Sequence, residues 1–242
     1  MPYDWNWRVF LEDTGGGQTY LQWLLSAWGW TAAVAGSAWV VAVALGLVAG
    51  VARTLPGRVP RWLGAIWVEG FRNVPVLVHV FLWYFVLPAI LPCFKGWSPF
   101  WLVVMALGCF SSTRVAEQVR AGLASLPAGQ RQAALALGLS LPQAYRHVLL
   151  PVALRVILPP LTSEAMGIVK NSAVAFVVSI SELMLFAQQA QEETSHGFEI
   201  YLAVTALYVL TSMAAFLLMT AFGRMVRRDR VAASAALPPA LP

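Results

Sequence analysis

The chain has 242 residues, of which 59% are hydrophobic and 11% charged. Soluble domains carry about 25% charged residues, so this composition, with a mean hydropathy of +0.69, excludes an ordinary soluble globule. Two cysteines, Cys93 and Cys109, exclude a disulfide framework and a cysteine-rich metal site, and the net charge of +5 is ordinary for a membrane protein whose cytoplasmic loops gather Lys and Arg.

The bilayer is the better ruler: about 30 Å of hydrocarbon, or roughly 20 helical residues per crossing. In chain order, Thr14 to Ala52 holds no charge over 39 residues, with its densest apolar part at 28–51. This is not a cleaved signal, because Asp4, Glu12 and Asp13 outweigh Arg8 ahead of it and the run is too long. Gly46 and Gly50 form a GxxxG pair, which either lets another helix approach closely or is two scattered glycines. Asn73 to Phe94 and Gly96 to Thr113 are charge-free over 22 and 18 residues. A fourth apolar stretch, 156–180, is interrupted only by Glu164 and Lys170, and Pro159-Pro160 should kink or begin it. Ile200 to Gly223 is charge-free over 24 residues. These continuous runs predict an all-α integral membrane protein of about five transmembrane helices, and their lack of period-two alternation argues against a β-barrel.

Of the 16 basic residues, 13 follow the first, third or fifth stretch. The excess of positive charge in cytoplasmic loops then places the N-terminus outside and the C-terminus in the cytoplasm. Residues 1–230 read as one transmembrane domain, and 231–242, rich in Ala, Pro and Leu, as a disordered tail.

The strongest local pattern lies at 125–151. A first short helix is expected at about 127–137. Gly138 suits the left-handed position after it, and Ser140 with Gln143 forms a capping box that opens a second helix. A helix-turn-helix suggests DNA. Here the segment is short, tethered between spans and poor in basic residues, which favours docking a protein and argues against nucleic acid.

Gln132-Ala133-Ala134-x3-Gly138-x9-Val148-x-Leu150-Pro151 resembles the EAA loop of ABC importer permeases, E-A-A-x3-G-x9-I-x-L-P, with Gln132 for Glu and Val148 for Ile. Three more segments are similar to polar amino acid permeases: Glu69 to Pro75 (EGFRNVP), Ala116 to Gly122 (AEQVRAG), and Ser163-Glu164 with Val169 to Ser172 (VKNS). The opening Asp4 to Trp7 (DWNW) and Arg114 to Arg120 (RVAEQVR) look closest to glutamate/aspartate importer permeases. The resemblance implies a type I ABC importer permease fold and a place in the bacterial inner membrane. It also implies a loop, carried by Gln132, Ala133, Ala134, Gly138 and Pro151, that couples to an ABC ATPase dimer. The implied partners are that ATPase, a second permease subunit, identical or homologous, a periplasmic amino acid binding protein and the surrounding lipid. The implied cargo is glutamate or aspartate, with glutamine, histidine or a basic amino acid as the alternative.

No GxxxxGK[ST] occurs and the only lysines are Lys95 and Lys170, so no P-loop cradles nucleotide here. No cofactor is expected in this chain, and ATP binds the partner. No nucleophile, base or metal constellation suggests an enzyme. An ion-coupled secondary transporter using His79, Glu164 and Lys170 is the rival reading.

The candidate substrate-binding residues are Glu164, Arg114, Ser163 and Lys170. An ionised side chain at a helix centre costs about 2.5–3.5 kcal/mol by insertion scales, so it faces a pathway or a partner. Glu164 either attracts an α-ammonium or pairs with an arginine on a neighbouring helix. Arg114 either grips a side-chain carboxylate or is an ordinary arginine at the cytoplasmic end of span three. Lys170 lies toward the outer end of span four, where it would snorkel. Glu69/Arg72 and Glu117/Arg120 read as i,i+3 scaffold pairs, and His79 as a pathway-lining or hydrogen-bonded histidine.

Overall fold

The computed structural model describes residues 3–235, with side chains through 226. The last part of the expected tail, 236–242, lies outside the described residues. The chain is almost entirely helical. After a 3-10 turn at Trp7–Leu11, α1 (Tyr20–Ala52) opens on a capping box in which Thr19 and Gln22 satisfy each other's backbone N–H groups. Its 33 residues give about 50 Å at 1.5 Å per residue.

Then α2 (Arg58–Arg72) leads into a helix built from α3 (Val76–Phe81), a π turn (Leu82–Val86) and α4 (Leu87–Ile90). The two halves meet at 100°. Pro75 explains the break, since proline drives the residue before it out of the α region. The second apolar stretch thus forms the Val76–Ile90 arm of a bent pair, and α2, its other arm, is an amphipathic helix that the charge-free runs did not reveal. It turns Gly64 and Val68 inward and leaves Val59, Trp62, Leu63 and Ile66 bare.

Next, α5 (Pro99–Ala124) is the central helix, packed on α1, α2, α3 and α8. The Gly46/Gly50 pair is the reason α1 comes so close to it. A Cβ on Gly46 would sit 2.5 Å from Val115 Cβ, and one on Gly50 would sit 2.7 Å from Val119 Cβ. Gly108 does the same from α5, 2.5 Å from Val41 Cγ1.

Beyond α6 (Ala128–Ala136) and α7 (Leu141–Ala144), a π turn (Tyr145–Leu149) continues into α8 (Leu150–Asn171) and a 3-10 turn (Ser172–Val178). Helix therefore runs from Leu141 to Val178 over 38 residues. This corrects the sequence expectation: the helix opened by Ser140 is not a separate short one but the start of span four. Of the two expectations for Pro159-Pro160, it does not begin that span but lies inside it. Ser179, with φ of 60°, ends it.

The chain closes with α9 (Leu183–Thr194), which the hydropathy pattern missed, and α10 (Gly197–Ala235). Residues 231–235 are helical, where a tail was expected. Among the described residues, four helices are long and apolar enough to cross a membrane, or five spans if the bent pair counts as one. Along α10, packed on α8 and α9, Val209, Leu210, Met213, Leu217 and Leu218 are exposed. Such apolar surface belongs against lipid or another subunit.

Candidate functional site

Two polar features stand out in this apolar bundle, one inside it and one at the end where α1 and α5 finish. Inside, Glu164 of α8 is 6% exposed and meets Arg114 of α5 at 3.5 Å from Oε2 to Nη1. Arg114 lies ten residues short of Ala124, about 15 Å up the helix. The expectation that it ends span three is therefore corrected: α5 holds it midway along its length, opposite Glu164 of the Leu141–Val178 helix. Its guanidinium lies 5.3 Å over the Phe110 ring, a cation–π contact.

The pair is only half satisfied. Glu164 Oε1 is buried with no hydrogen-bond partner, and the Arg114 side chain is 54% exposed. A guanidinium has five N–H donors, and one carboxylate oxygen at 3.5 Å leaves most of them open. The pair leaves guanidinium donors open at the surface and one carboxylate oxygen buried without a partner.

The other two candidates lie elsewhere. Ser163 is next to Glu164 in sequence but about 100° around the helix. It lines a cavity of roughly 370 Å3 between α8 and α10, with Thr162, Met166, Thr220 and Arg224. Lys170 is exposed one residue before the end of α8 and forms no ion pair among the described residues. His79 is buried with Nε2 2.8 Å from the Phe71 carbonyl, so it caps the end of α2 by hydrogen bonding across the bend. Its ring centroid is 5.8 Å from that of Phe110.

At the end of the bundle, α6 is terminated by a Schellman motif. Gly138, with φ of +83°, donates to Leu135 and Leu139 donates to Ala134. Ser140 and Gln143 form the expected capping box. Gln132 and Ala133 are exposed and Ala134 is buried. Leu137 is 84% exposed at the tip. Pro151 lies just after the π turn Tyr145–Leu149, inside the continuous helix. The result is a short helix with Arg131, Gln132, Ala133, Leu135 and Ala136 exposed along it. Tyr145 anchors it, its hydroxyl donating to the Thr54 carbonyl at 2.9 Å.

Sequence reasoning missed the centre of one cluster. Glu117 accepts from Arg120 at 3.0 Å, as its i,i+3 spacing suggests, and also from Arg53 at 2.6 Å, with Arg72 at 3.7 Å. One carboxylate thus ties the ends of α1, α2 and α5. Glu182, fully buried, caps α9 by accepting from Met184 and Leu185, and Tyr208 donates to it at 2.6 Å. Burial pushes its carboxyl above the usual range, against the pull of those hydrogen bonds. An acidic residue before an apolar run is a readable helix-start signal, so Glu182 was findable. No group of three or more His, Cys, Asp or Glu among the described residues could hold a metal.

Residues 42–228 match the family described as binding-protein-dependent transport system inner membrane component. The chain belongs to that family. It is a multi-pass inner membrane protein and a transport subunit of the ABC importer class, not an enzyme, and this sets aside the ion-coupled secondary transporter. The glutamate/aspartate import permease protein GltJ of Escherichia coli (strain K12) is 44% identical over 238 residues, 94% of this chain and 97% of its own length. The glutamine transport system permease protein GlnP of the same organism is 33% identical over 188 residues, 77% of this chain and 84% of its own. A solved amino acid ABC transporter crystallised with histidines superposes with a TM-score of 0.72 at 29% identity, covering 85% of this chain and 95% of that one. The methionine ABC transporter MetNI, in an inward-facing conformation, shares the fold with a TM-score of 0.69 at 22% identity, covering 85% of this chain and 97% of that one.

Proposed function

We propose that this chain is one membrane half of an ATP-driven importer whose cargo is glutamate or aspartate. The observation that carries the cargo assignment is the end-to-end similarity to the glutamate/aspartate permease, 44% over 94% of the chain, against 33% over 77% for the glutamine permease. The Arg114–Glu164 pair supports it chemically. An acidic amino acid brings one ammonium and two carboxylates. The ammonium would take over Glu164, whose Oε1 has no partner, and a carboxylate would take the open fork of Arg114. Cargo then exchanges one internal ion pair for two, which offsets part of its own desolvation.

The proposed partners are a second permease subunit against the bare side of the bundle, a periplasmic binding protein and an ATPase dimer that receives α6. Five spans are too few to enclose a symmetric pathway alone. The orientation rests on the arginines after α1 and α5 and on Arg224, Arg227, Arg228 and Arg230 in the C-terminal part of α10, an excess that favours α6 and the end of α10 on the cytoplasmic side. Within this reading ATP closes the ATPase dimer, α6 transmits that motion through Tyr145 and the Leu141–Val178 helix, and the Arg114–Glu164 pair faces each side in turn.

Competition tests the cargo. Cells that import acidic amino acids only through this permease should take up labelled glutamate, with unlabelled aspartate competing and glutamine not competing at tenfold excess. Glutamine competing as well as aspartate contradicts the acidic assignment.

A further inference from the structure

Where α1 and α5 end, a cavity of roughly 370 Å3 lies between the projecting α6 segment and the membrane helices. Its walls carry Arg53 from the end of α1, Arg120 from α5 and Arg131 from α6. Pro127 and Ala128, the first turn of α6, complete the wall. No side chain caps that turn, so the partial positive charge of a helix start faces the same space. The Tyr145 hydroxyl bond to the Thr54 carbonyl, 2.9 Å, holds the back wall.

The charges around this space do not balance. Arg72 is engaged by Glu69 at 3.1 Å. Glu117 serves both Arg53 at 2.6 Å and Arg120 at 3.0 Å. Arg131 has no ion pair among the described residues. Three guanidiniums thus border one cavity with a single carboxylate between them, close to the membrane, where the effective dielectric falls and like-charge repulsion grows. Guanidinium forks spread over three elements call for an anion with several acceptor oxygens, and phosphate is the group that arginine binds in two-pronged geometry.

We propose that this cavity binds a phosphate-bearing anion, either the headgroup of an anionic phospholipid or free phosphate. Such a ligand bridges α6 to the ends of α1 and α5 and stiffens the segment that transmits the ATPase motion. The binding itself is independent of the cargo assignment, whereas its consequence for coupling rests on the role proposed for α6.

The test uses the assembled transporter, purified in detergent. Inorganic phosphate is titrated while the melting temperature is followed. In parallel, native mass spectrometry compares retention of phosphatidylglycerol with that of phosphatidylcholine. The wild type should show saturable stabilisation by phosphate, which identifies a free anion, or selective retention of phosphatidylglycerol alone, which identifies a headgroup. Arg131→Gln, an exposed position outside every ion pair, should weaken the response at least fivefold. Arg224→Gln, whose side chain lines the separate α8–α10 cavity, should leave it unchanged. A wild type that shows neither response overturns the proposal. So does an Arg131→Gln variant that matches wild type, or an Arg224→Gln variant that weakens as much, since anions would then be held elsewhere or by net charge alone. Because these readouts are of binding, a failure of the coupling role leaves them intact and is seen only in transport.

Discussion

At the scale of single residues, the Arg114–Glu164 contact separates two kinds of defect. If Arg114 grips the side-chain carboxylate of the cargo, Arg114→Ala should weaken glutamate far more than glutamine, by about tenfold or more, which is about 1.4 kcal/mol per tenfold. Glu164→Gln should weaken both equally, because every amino acid carries the ammonium. Binding should be titrated directly on the permease complex, which bypasses selection by the binding protein. Equal losses for glutamate and glutamine in Arg114→Ala would reduce the arginine to a structural partner of Glu164. The second residue-scale expectation concerns Glu117. Glu117→Gln leaves Arg53 and Arg120 without their carboxylate and should lower the melting temperature of the purified permease, while Glu69→Gln, in an exposed pair, should change it little. Sequence singled out Arg114 and Glu164 because charge in an apolar run is costly, but not that they meet, since they lie fifty positions apart on different helices. The Glu117 cluster was half legible for the same reason. Arg120 is three residues away on one helix, and Arg53 is 64 residues away.

At the scale of elements, packing and capping give opposite expectations for two glycines. Gly46→Ala puts a Cβ 2.5 Å from Val115 Cβ and 2.8 Å from the Ser112 carbonyl oxygen. Overpacking of this kind costs about 1–3 kcal/mol, so the melting temperature should fall, whereas Gly36→Ala, with nothing within 4 Å, should leave it unchanged. Gly138 has open space around it and a φ of +83°. Gly138→Asp therefore adds about 1–2 kcal/mol of left-handed strain and a carboxylate on an open face. The permease should still insert and assemble, and lose transport and cargo-stimulated ATP hydrolysis. Wild-type transport by this variant would remove α6 from the coupling path. The α6 segment was legible because caps are local chemistry: a glycine after the helix and a Ser/Gln pair before the next one. The reach of the following helix was not, because Arg146, His147 and Arg155 break the apolar pattern while the backbone continues as one helix through Val178. Both α2 and α9 escaped for a related reason, since short amphipathic helices present no long apolar run.

At the scale of the whole molecule, length and hydropathy were enough to give an all-α membrane bundle with about five crossings, because the bilayer dictates span length more firmly than packing dictates any other feature. What they could not give was the 100° bend between α2 and the Val76–Ile90 arm, which depends on one proline. Cys93 is exposed and Cys109 buried, so a membrane-impermeant thiol reagent applied from outside should label Cys93 and spare Cys109. Labelling of Cys93 only from the cytoplasmic side would invert the proposed orientation.

As proposed above, this chain lines one half of the pathway of an ATP-driven importer of acidic amino acids. The most direct measurement is uptake of labelled glutamate into proteoliposomes holding this chain, its second permease subunit, the partner ATPase and the binding protein, with ATP inside and no ion gradient. Uptake should require ATP and binding protein and persist when proton and sodium gradients are dissipated. Uptake driven by an imposed ion gradient without ATP would contradict it.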